Sequence, residues 1–433
     1  MSKLIPHDVL QTYEPGLPSH FWSVVYRFAM RCHIRFHPAK FFYHFDKKEM
    51  KGKQVVLIAD HSSRDNFYYV LGKYPFVDLN SVMGYSNFYD AHFLRIFTKI
   101  GVVPKSLYGP DFKAAKSIMN LLSQGASICL FPEGIQSTIG AMQPMNPATI
   151  QFLKQAGVPV VLCSSRGAYL AKPRAAKGYR KGKMEFHYSI LFTPEELKEL
   201  DEESLYAKYL EAFYYNDFAW NEKEKNHYKS KDSLMKGFEK ILFHCPVCGK
   251  DHELGFDGKS LVCSCGAHFD LDDTYALSSD HPLPFSRLDE WNDFQRYLVR
   301  KKVKDPAFSF SYEADLYELV TTKVVDNSRD CRKCGRGKVT INHDGLTFDG
   351  LREEMPYHKH IPLMDIPCVP FMSGYANEVF YSGGYLRLVP NEKPNRVAEI
   401  TMIVEELHRQ IDPKWDRVSA DAFERSPAHG REG

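Results

Sequence analysis

The sequence predicts an α/β protein: a central sheet with helices outside it, then a small cysteine-pinned ribbon and a C-terminal β-rich domain closed by a helix. Three observations carry this. Short β-rich apolar runs (VVLIAD from Val55, SVMGY from Ser81, SICLFPEG from Ser127, VPVVLCSS from Val158) alternate with segments of helical spacing such as 111–123. Four cysteines crowd between Cys245 and Cys265. From 337 to 390 short alternating strands are divided by turns at His343-Asp344-Gly345 and Ser382-Gly383-Gly384, and 396–410 follows as an amphipathic helix.

A chain of 433 residues holds several modules, since domains run about 100–200 residues. Residues 1–45 read as a membrane-proximal segment. Within it SHFWSVVYRFAMRCHIRF (19–36) alternates bulky apolar and basic side chains, the pattern of an interfacial helix and equally of an amphipathic core helix. Residues 46–240 form the α/β domain, which ends in one or two helices over 194–221 after a capping Thr193 and a lysine-rich link. The cysteine ribbon takes 241–275, and a helical linker built around 288–304 takes 276–335. The β-rich domain covers 336–412. The polar, proline-interrupted tail 413–433 reads as mobile.

Composition sets limits on function. With 56 basic against 54 acidic residues, the net charge of +2 gives no global signal for a polyanion, so no nucleic-acid partner is expected. Aromatics at 14% fit a protein that touches lipid. Clustered rather than framework-spaced cysteines point to a metal site in a reducing compartment, the cytoplasm. The start lacks a secretory pattern and no run of 18 or more apolar residues occurs, so attachment to the inner face of a membrane is expected to be peripheral or monotopic.

Two strings directly follow predicted strands: Asp60-His61-Ser62-Ser63-Arg64-Asp65-Asn66 and Phe131-Pro132-Glu133-Gly134. In open α/β sheets the ligand crevice lies beyond the strand carboxyl ends, so these loops converge. A histidine followed within one turn by a carboxylate can hand Nδ1–H to it and keep Nε2 free to take a hydroxyl proton. Asp65 is the favoured partner, with Asn66 as the neutral alternative.

On these residues, 54–192 resembles the phosphate-type glycerolipid acyltransferases, the lysophosphatidate and glycerol-phosphate acyltransferase family. Four blocks appear in order: His61 to Asn66, with the aspartate one place early; Gly101 to Ser106, with Lys105 where the family has arginine; Phe131 to Ser137, with Gln136 in place of the second arginine; and Gly157-Val158-Pro159-Val160-Val161. The resemblance implies a central-sheet acyltransferase domain in which His61, Asp65 and Glu133 are catalytic. Asn66, Lys105, Pro132, Gly134, Gln136 and Ser137 would then contact substrate. Arg166 opens a basic run through Lys183 that suits headgroup or carrier phosphates, or a solvated loop. The implied reaction moves an acyl group from acyl-CoA or acyl-carrier protein to a hydroxyl of a lysophospholipid or glycerol-phosphate-like acceptor, with membrane lipids as partners. Loss of both arginines removes the planar donors best matched to a phosphate. The alternative is a noncatalytic lipid-docking protein that keeps the fold.

Cys245-Pro246-Val247-Cys248 and Cys263-Ser264-Cys265-Gly266 flank a hairpin pattern and match the knuckles of a zinc ribbon with a structural Zn²⁺. The short second knuckle leaves His252 or His268 as substitutes for one thiolate. The ribbon carries Asp251, Glu253, Asp257, Asp270, Asp272 and Asp273, which disfavours nucleic acid there too. Cys331 and Cys334 repeat the first knuckle without a second pair. By element order alone, the last domain resembles a pleckstrin-homology-like fold.

Overall fold

The computed structural model describes residues 12–89, 91–106, 111–143, 145, 148–319, 331–381, 384–393 and 395–412; the expected tail 413–433 lies outside them. The chain is mixed α/β, and its first sheet is rich in parallel pairs. Seven strands lie in the order β1-β7-β6-β2-β5-β3-β4: β1 (Lys40–Tyr43), β2 (Val56–Ala59), β3 (Leu79–Gly84), β4 (Val103–Lys105), β5 (Ser127–Leu130), β6 (Val160–Arg166) and β7 (Glu185–Phe192). Strands β6, β2, β5, β3 and β4 run parallel, while β7 is antiparallel to β6.

The central strands are apolar throughout because both faces are covered. Leu57, Ala59, Cys129 and Val161 enter one core, while Val56, Ile58, Ile128 and Val160 enter the other, as strand alternation requires. Five parallel strands therefore point their carboxyl ends to one edge. The loops after β2 and β5 carry His61 and Glu133 there, and Lys105 and Arg166 are the last residues of β4 and β6 at the same edge.

The expected N-terminal helix forms at His20–Phe36 and packs on the helix Asn66–Lys73 that follows the His61 loop. A Cβ on Gly72 would come within 3.0 Å of the Met30 Cβ, so glycine permits the close approach. Phe21, Val24, Val25 and Phe28 point outward and are exposed. The stretch expected to hold one or two helices holds three, Pro194–Glu199, Glu202–Phe213 and Asp217–Glu224; the first opens with a Thr193/Glu196 capping box.

The second sheet is small and antiparallel: β8 (Leu254–Phe256), β9 (Leu261–Cys263), β10 (His268–Leu271) and β11 (Leu277–Ser279). The helix Leu288–Val303 leads to a third sheet, ordered β15-β14-β13-β12-β18-β17-β16. Its strands are β12 (Ser309–Leu319), β13 (Cys331–Asn342), β14 (Gly345–Arg352), β15 (Met355–Pro362), β16 (Phe371–Met372), β17 (Ala376–Tyr381) and β18 (Gly384–Pro390), and the helix Arg396–Ile411 closes it. The helical linker expected over 276–335 is thus corrected: it includes β11, β12 and the start of β13. Tyr312, Ala314 and Leu316 are buried at period 2, and β12 pairs with both β13 and β18, so it is a middle strand of the sheet.

Charge pairing ties these parts together. Arg296, 2% exposed, donates to Glu405 at 2.9 Å and to Glu406 at 3.0 Å, and Arg300 reaches Glu406 at 2.8 Å. His252 meets Glu399 at 2.7 Å, linking the ribbon to the last helix.

Candidate active site and cysteine cluster

Asp60 fixes the entry to the His61 loop. Its buried carboxyl accepts from the Ser165 backbone N–H, from the Ser165 hydroxyl at 2.7 Å and from the Asn66 amide at 2.7 Å, which ties the ends of β2 and β6 together. Burial pushes this carboxyl above the usual range, against the pull of those donors.

His61 is half-buried and its ring lies 5.0 Å from that of Phe131. Nδ1 lies 3.2 Å from the Ser63 carbonyl, which can only accept, so Nδ1 carries the hydrogen and Nε2 presents a lone pair. Burial is the main cause that brings its pKa down from 6.5 to about 4; the Ser63 contact opposes this and the Arg174 charge adds to it. The ring stays neutral through ordinary pH.

The expected partners of His61 are corrected. Asp65 stands at the N-terminal end of the helix Asn66–Lys73 without a side-chain cap bond, and its carboxylate accepts from the Tyr179 hydroxyl at 2.5 Å. The Asn66 amide faces Asp60, Ser62 and Ser165. A backbone carbonyl therefore orients the ring, because the turn through Ser62-Ser63 folds that carbonyl back beneath it.

Glu133, expected to be catalytic, is bound to the His61 loop itself. Its carboxyl is buried and accepts from the His61 N–H at 2.7 Å, the Gln143 N–H at 2.7 Å and the Tyr215 hydroxyl at 2.8 Å. Burial pushes it up to about 8, while these donors pull the other way. Ser137 braces the same loop from the far side: its N–H donates to the His61 carbonyl at 2.8 Å and its hydroxyl to Ala141 at 2.6 Å. His61 is thus clamped at both its backbone N–H and its C=O by the second loop. Gly134 turns that loop at φ +71°, in the left-handed region that favours glycine, and Pro132 precedes the turn.

Lys105 ends β4 with its ammonium 3.0 Å from the Ser106 carbonyl, and burial lowers its pKa. Arg166 ends β6 and donates to the Ser165 carbonyl at 2.7 Å. The Gln136 side-chain Nε2 is buried without a partner. Its carbonyl accepts from Arg174, a residue the sequence reading left out of the site although the basic run contained it.

The four Sγ atoms of Cys245, Cys248, Cys263 and Cys265 lie within 4.8 Å of one another, close enough to hold a metal ion such as zinc. Thiolates about 2.3 Å from zinc stand about 3.8 Å apart at tetrahedral corners. Cys245 and Cys265 are 4.0 Å apart, and Cys248 and Cys263 are 3.7 Å apart. Neither histidine is required: His252 is engaged by Asn395 and Glu399, and His268 is exposed on β10. Gly249 and Gly266, at φ +72° and +95°, turn the two knuckles. Cys334 is buried against Leu316 in the third sheet, away from any such group among the described residues.

No family model and no curated protein matches the chain. Among solved structures, the 1-acyl-sn-glycerophosphate (LPA) acyltransferase PlsC from Thermotoga maritima is similar at 18% identity, over 44% of this chain and 75% of that one, with a TM-score of 0.38.

Proposed function

We propose that the chain is an acyltransferase that moves a fatty acyl group from acyl-CoA or acyl-carrier protein to a hydroxyl of a lysophospholipid or glycerol-phosphate-like acceptor. One observation carries the reading: His61 sits at the carboxyl edge of β2 with Nδ1 held by Ser63, its backbone clamped by Glu133 and Ser137, and its ring neutral. Such a base takes the acceptor O–H proton on Nε2 as the oxygen attacks the thioester carbonyl carbon. Collapse of the tetrahedral intermediate breaks the C–S bond, and the proton on Nε2 leaves with the thiolate. No protein nucleophile is needed. Asp65 then acts at a distance, through the Tyr179 contact, and Glu133 acts as a positioning residue.

The reading places the reaction at the cytoplasmic face of a membrane. No described helix is long and apolar enough to cross one. The outward Phe21, Val24, Val25 and Phe28 lie on the helix that packs against the His61 loop's own helix, so their burial in lipid would bring the site to the bilayer surface. The same face also supports the second reading, a lipid-docking protein without turnover. The four cysteines are proposed to hold a structural zinc; a closed four-thiolate site leaves no position for substrate.

The test is transfer from labelled acyl-CoA and acyl-carrier protein to a panel of lysophospholipids and glycerol phosphates on vesicles, comparing the intact chain with His61→Ala. The expected result is product only with His61 present. Absence of product with every donor and acceptor sinks the enzyme reading and leaves docking.

A further inference from the structure

The loop that carries His61 is braced by groups that stand apart from the reacting atoms. Ser63, whose carbonyl orients the His61 ring, donates its hydroxyl to the Lys172 carbonyl at 3.3 Å and, more weakly, receives the Asp65 N–H on the same oxygen at 3.5 Å. Both neighbours lead to Tyr179. The Asp65 carboxylate accepts from the Tyr179 hydroxyl at 2.5 Å, and the Lys172 ammonium stands 5.3 Å over the Tyr179 ring. The N-terminal helix His20–Phe36 closes this hub from outside. His33 Nε2 lies 2.9 Å from the Tyr179 oxygen, and the ring of His37, just past the helix end, stacks on Tyr179 at 3.6 Å and 11°. Tyr68, on the helix that follows the His61 loop, stacks on His33 at 4.3 Å.

The count of protons fixes the direction of each bond. A phenol has one proton, and here it goes to the carboxylate, which can only accept. His33 is therefore the donor to the Tyr179 oxygen, with its hydrogen on Nε2. Burial, then Tyr69 and the Asp65 carboxylate, raises the pKa of Tyr179, so the hydroxyl keeps the proton that Asp65 receives.

We propose that Tyr179 and His33 are positioning residues of the acyl-transfer site, holding Asp65 and Lys172 against Ser63 and so keeping His61 in one tautomer. This rests on the acyl-transfer reading for its reaction and deepens it. The Ser63 hydroxyl and carbonyl belong to one residue, so a shift of either neighbour moves the carbonyl that His61 uses. A ring that loses its acceptor at Nδ1 no longer has a fixed tautomer, and the fraction with hydrogen on Nε2 cannot take the acceptor proton. The helix that carries His33 is also the one whose Phe21, Val24, Val25 and Phe28 face outward, so the brace joins that face to the base.

The experiment compares the full chain with Tyr179→Phe, His33→Ala, His33→Gln and the double variant Tyr179→Phe with His33→Ala, with circular dichroism to verify folding. One readout is nitrogen-15 NMR of the His61 ring. The other is kcat and KM for transfer from labelled acyl-CoA and acyl-carrier protein to the lysophospholipid and glycerol-phosphate panel on vesicles. In the natural chain the ring should show the single Nδ1–H tautomer. Tyr179→Phe keeps the stacked ring and removes only the hydroxyl; it should mix the two tautomers and lower kcat about tenfold, the scale of one hydrogen bond to a charged group, with KM unchanged. His33→Ala should act in the same direction, and His33→Gln, which keeps a donor, should restore both readouts. The double variant should lose no more than Tyr179→Phe alone, because the two residues act as one unit. The proposal is overturned if folded Tyr179→Phe retains the single tautomer, if its kcat is natural although its ring has changed, or if the losses of the double variant multiply. Should Tyr179→Phe fail to fold, His33→Ala against His33→Gln decides by the same readouts. The ring spectrum needs no turnover: a natural chain that transfers from neither donor sinks the enzyme reading, whereas a tautomer that depends on Tyr179 leaves the brace on His61 standing.

Discussion

The neutrality of His61 gives the sharpest prediction, because it fixes where activity fails on acidification. A ring that titrates at its ordinary 6.5 would be only about 3% neutral at pH 5, whereas one brought down to about 4 stays about 90% neutral. The reaction rate at pH 5 should therefore remain within about 10% of its plateau, and log(kcat/KM) should break near 4. Stability follows the same shift. Protons bind the unfolded chain first, so the stability carried by the neutral ring is complete above 6.5 and is lost as the pH falls toward 4. At 1.36 kcal/mol per unit the loss is about 2 kcal/mol at pH 5, an upper figure because the ring keeps some contact with water. Three measurements check this: initial rates from pH 3.5 to 8, urea unfolding at pH 5 and 7 for the natural chain and His61→Ala, and an NMR titration of the His61 Hε1 proton. A ring midpoint or a rate break at 6.5 would refute the argument that burial keeps the base neutral.

Three further outcomes follow from other parts of the molecule. Cys265→Ser, or a strong zinc chelator, should unfold the ribbon and release about one metal equivalent by atomic absorption, since structural zinc contributes about 10–16 kcal/mol to such small domains; a chain that contains no zinc when purified from zinc-replete cells refutes the assignment. Arg296→Met leaves the buried Glu405 without that partner and should cost about 3–5 kcal/mol in urea unfolding; a loss under 1 kcal/mol would mean that the ion-pair cluster does not hold the last helix. Phe21→Asp with Phe28→Asp should leave unfolding nearly unchanged, because both rings are exposed, yet abolish co-flotation with anionic vesicles, each lost ring being worth about 1.5–3 kcal/mol. Unaltered flotation would remove the membrane reading of that face.

Much of the first domain was legible because parallel strands buried on both faces must be written as apolar runs, and the runs at Val56, Ile128 and Val160 are such strands. The loops that follow them were legible for the same reason, since a strand's end fixes its loop at the carboxyl edge. The cysteine cluster was legible from spacing, with its four Sγ atoms brought to distances that suit a metal. Strand β12 was missed although its Tyr312, Ala314 and Leu316 alternate inward, because its polar partners Glu313, Asp315 and Glu318 and the adjoining helix Leu288–Val303 made the stretch read as a linker.

The site's internal roles were less legible, for a reason that the residues themselves make plain. Sequence spacing can pair side chains, but the groups that orient His61 and its loop are largely backbone. Ser63 acts through its carbonyl, Ser137 through its N–H, and Glu133 accepts from the His61 N–H. A reading that looked for a carboxylate near the ring selected Asp65, whose carboxylate accepts from Tyr179 instead. Arg174 stood in plain view within a basic run, yet nothing local separates it from Lys172 or Arg180. Lys172 donates to nearby carbonyls and Arg180 to Tyr275. Only the distant Phe371 sets Arg174 apart, 197 residues along the chain, by receiving one of its bonds. A position shaped in part by a carbonyl of the loop after β5 and a carbonyl of β16 has no signature in residue type, so it becomes visible only when the third sheet is folded against the first.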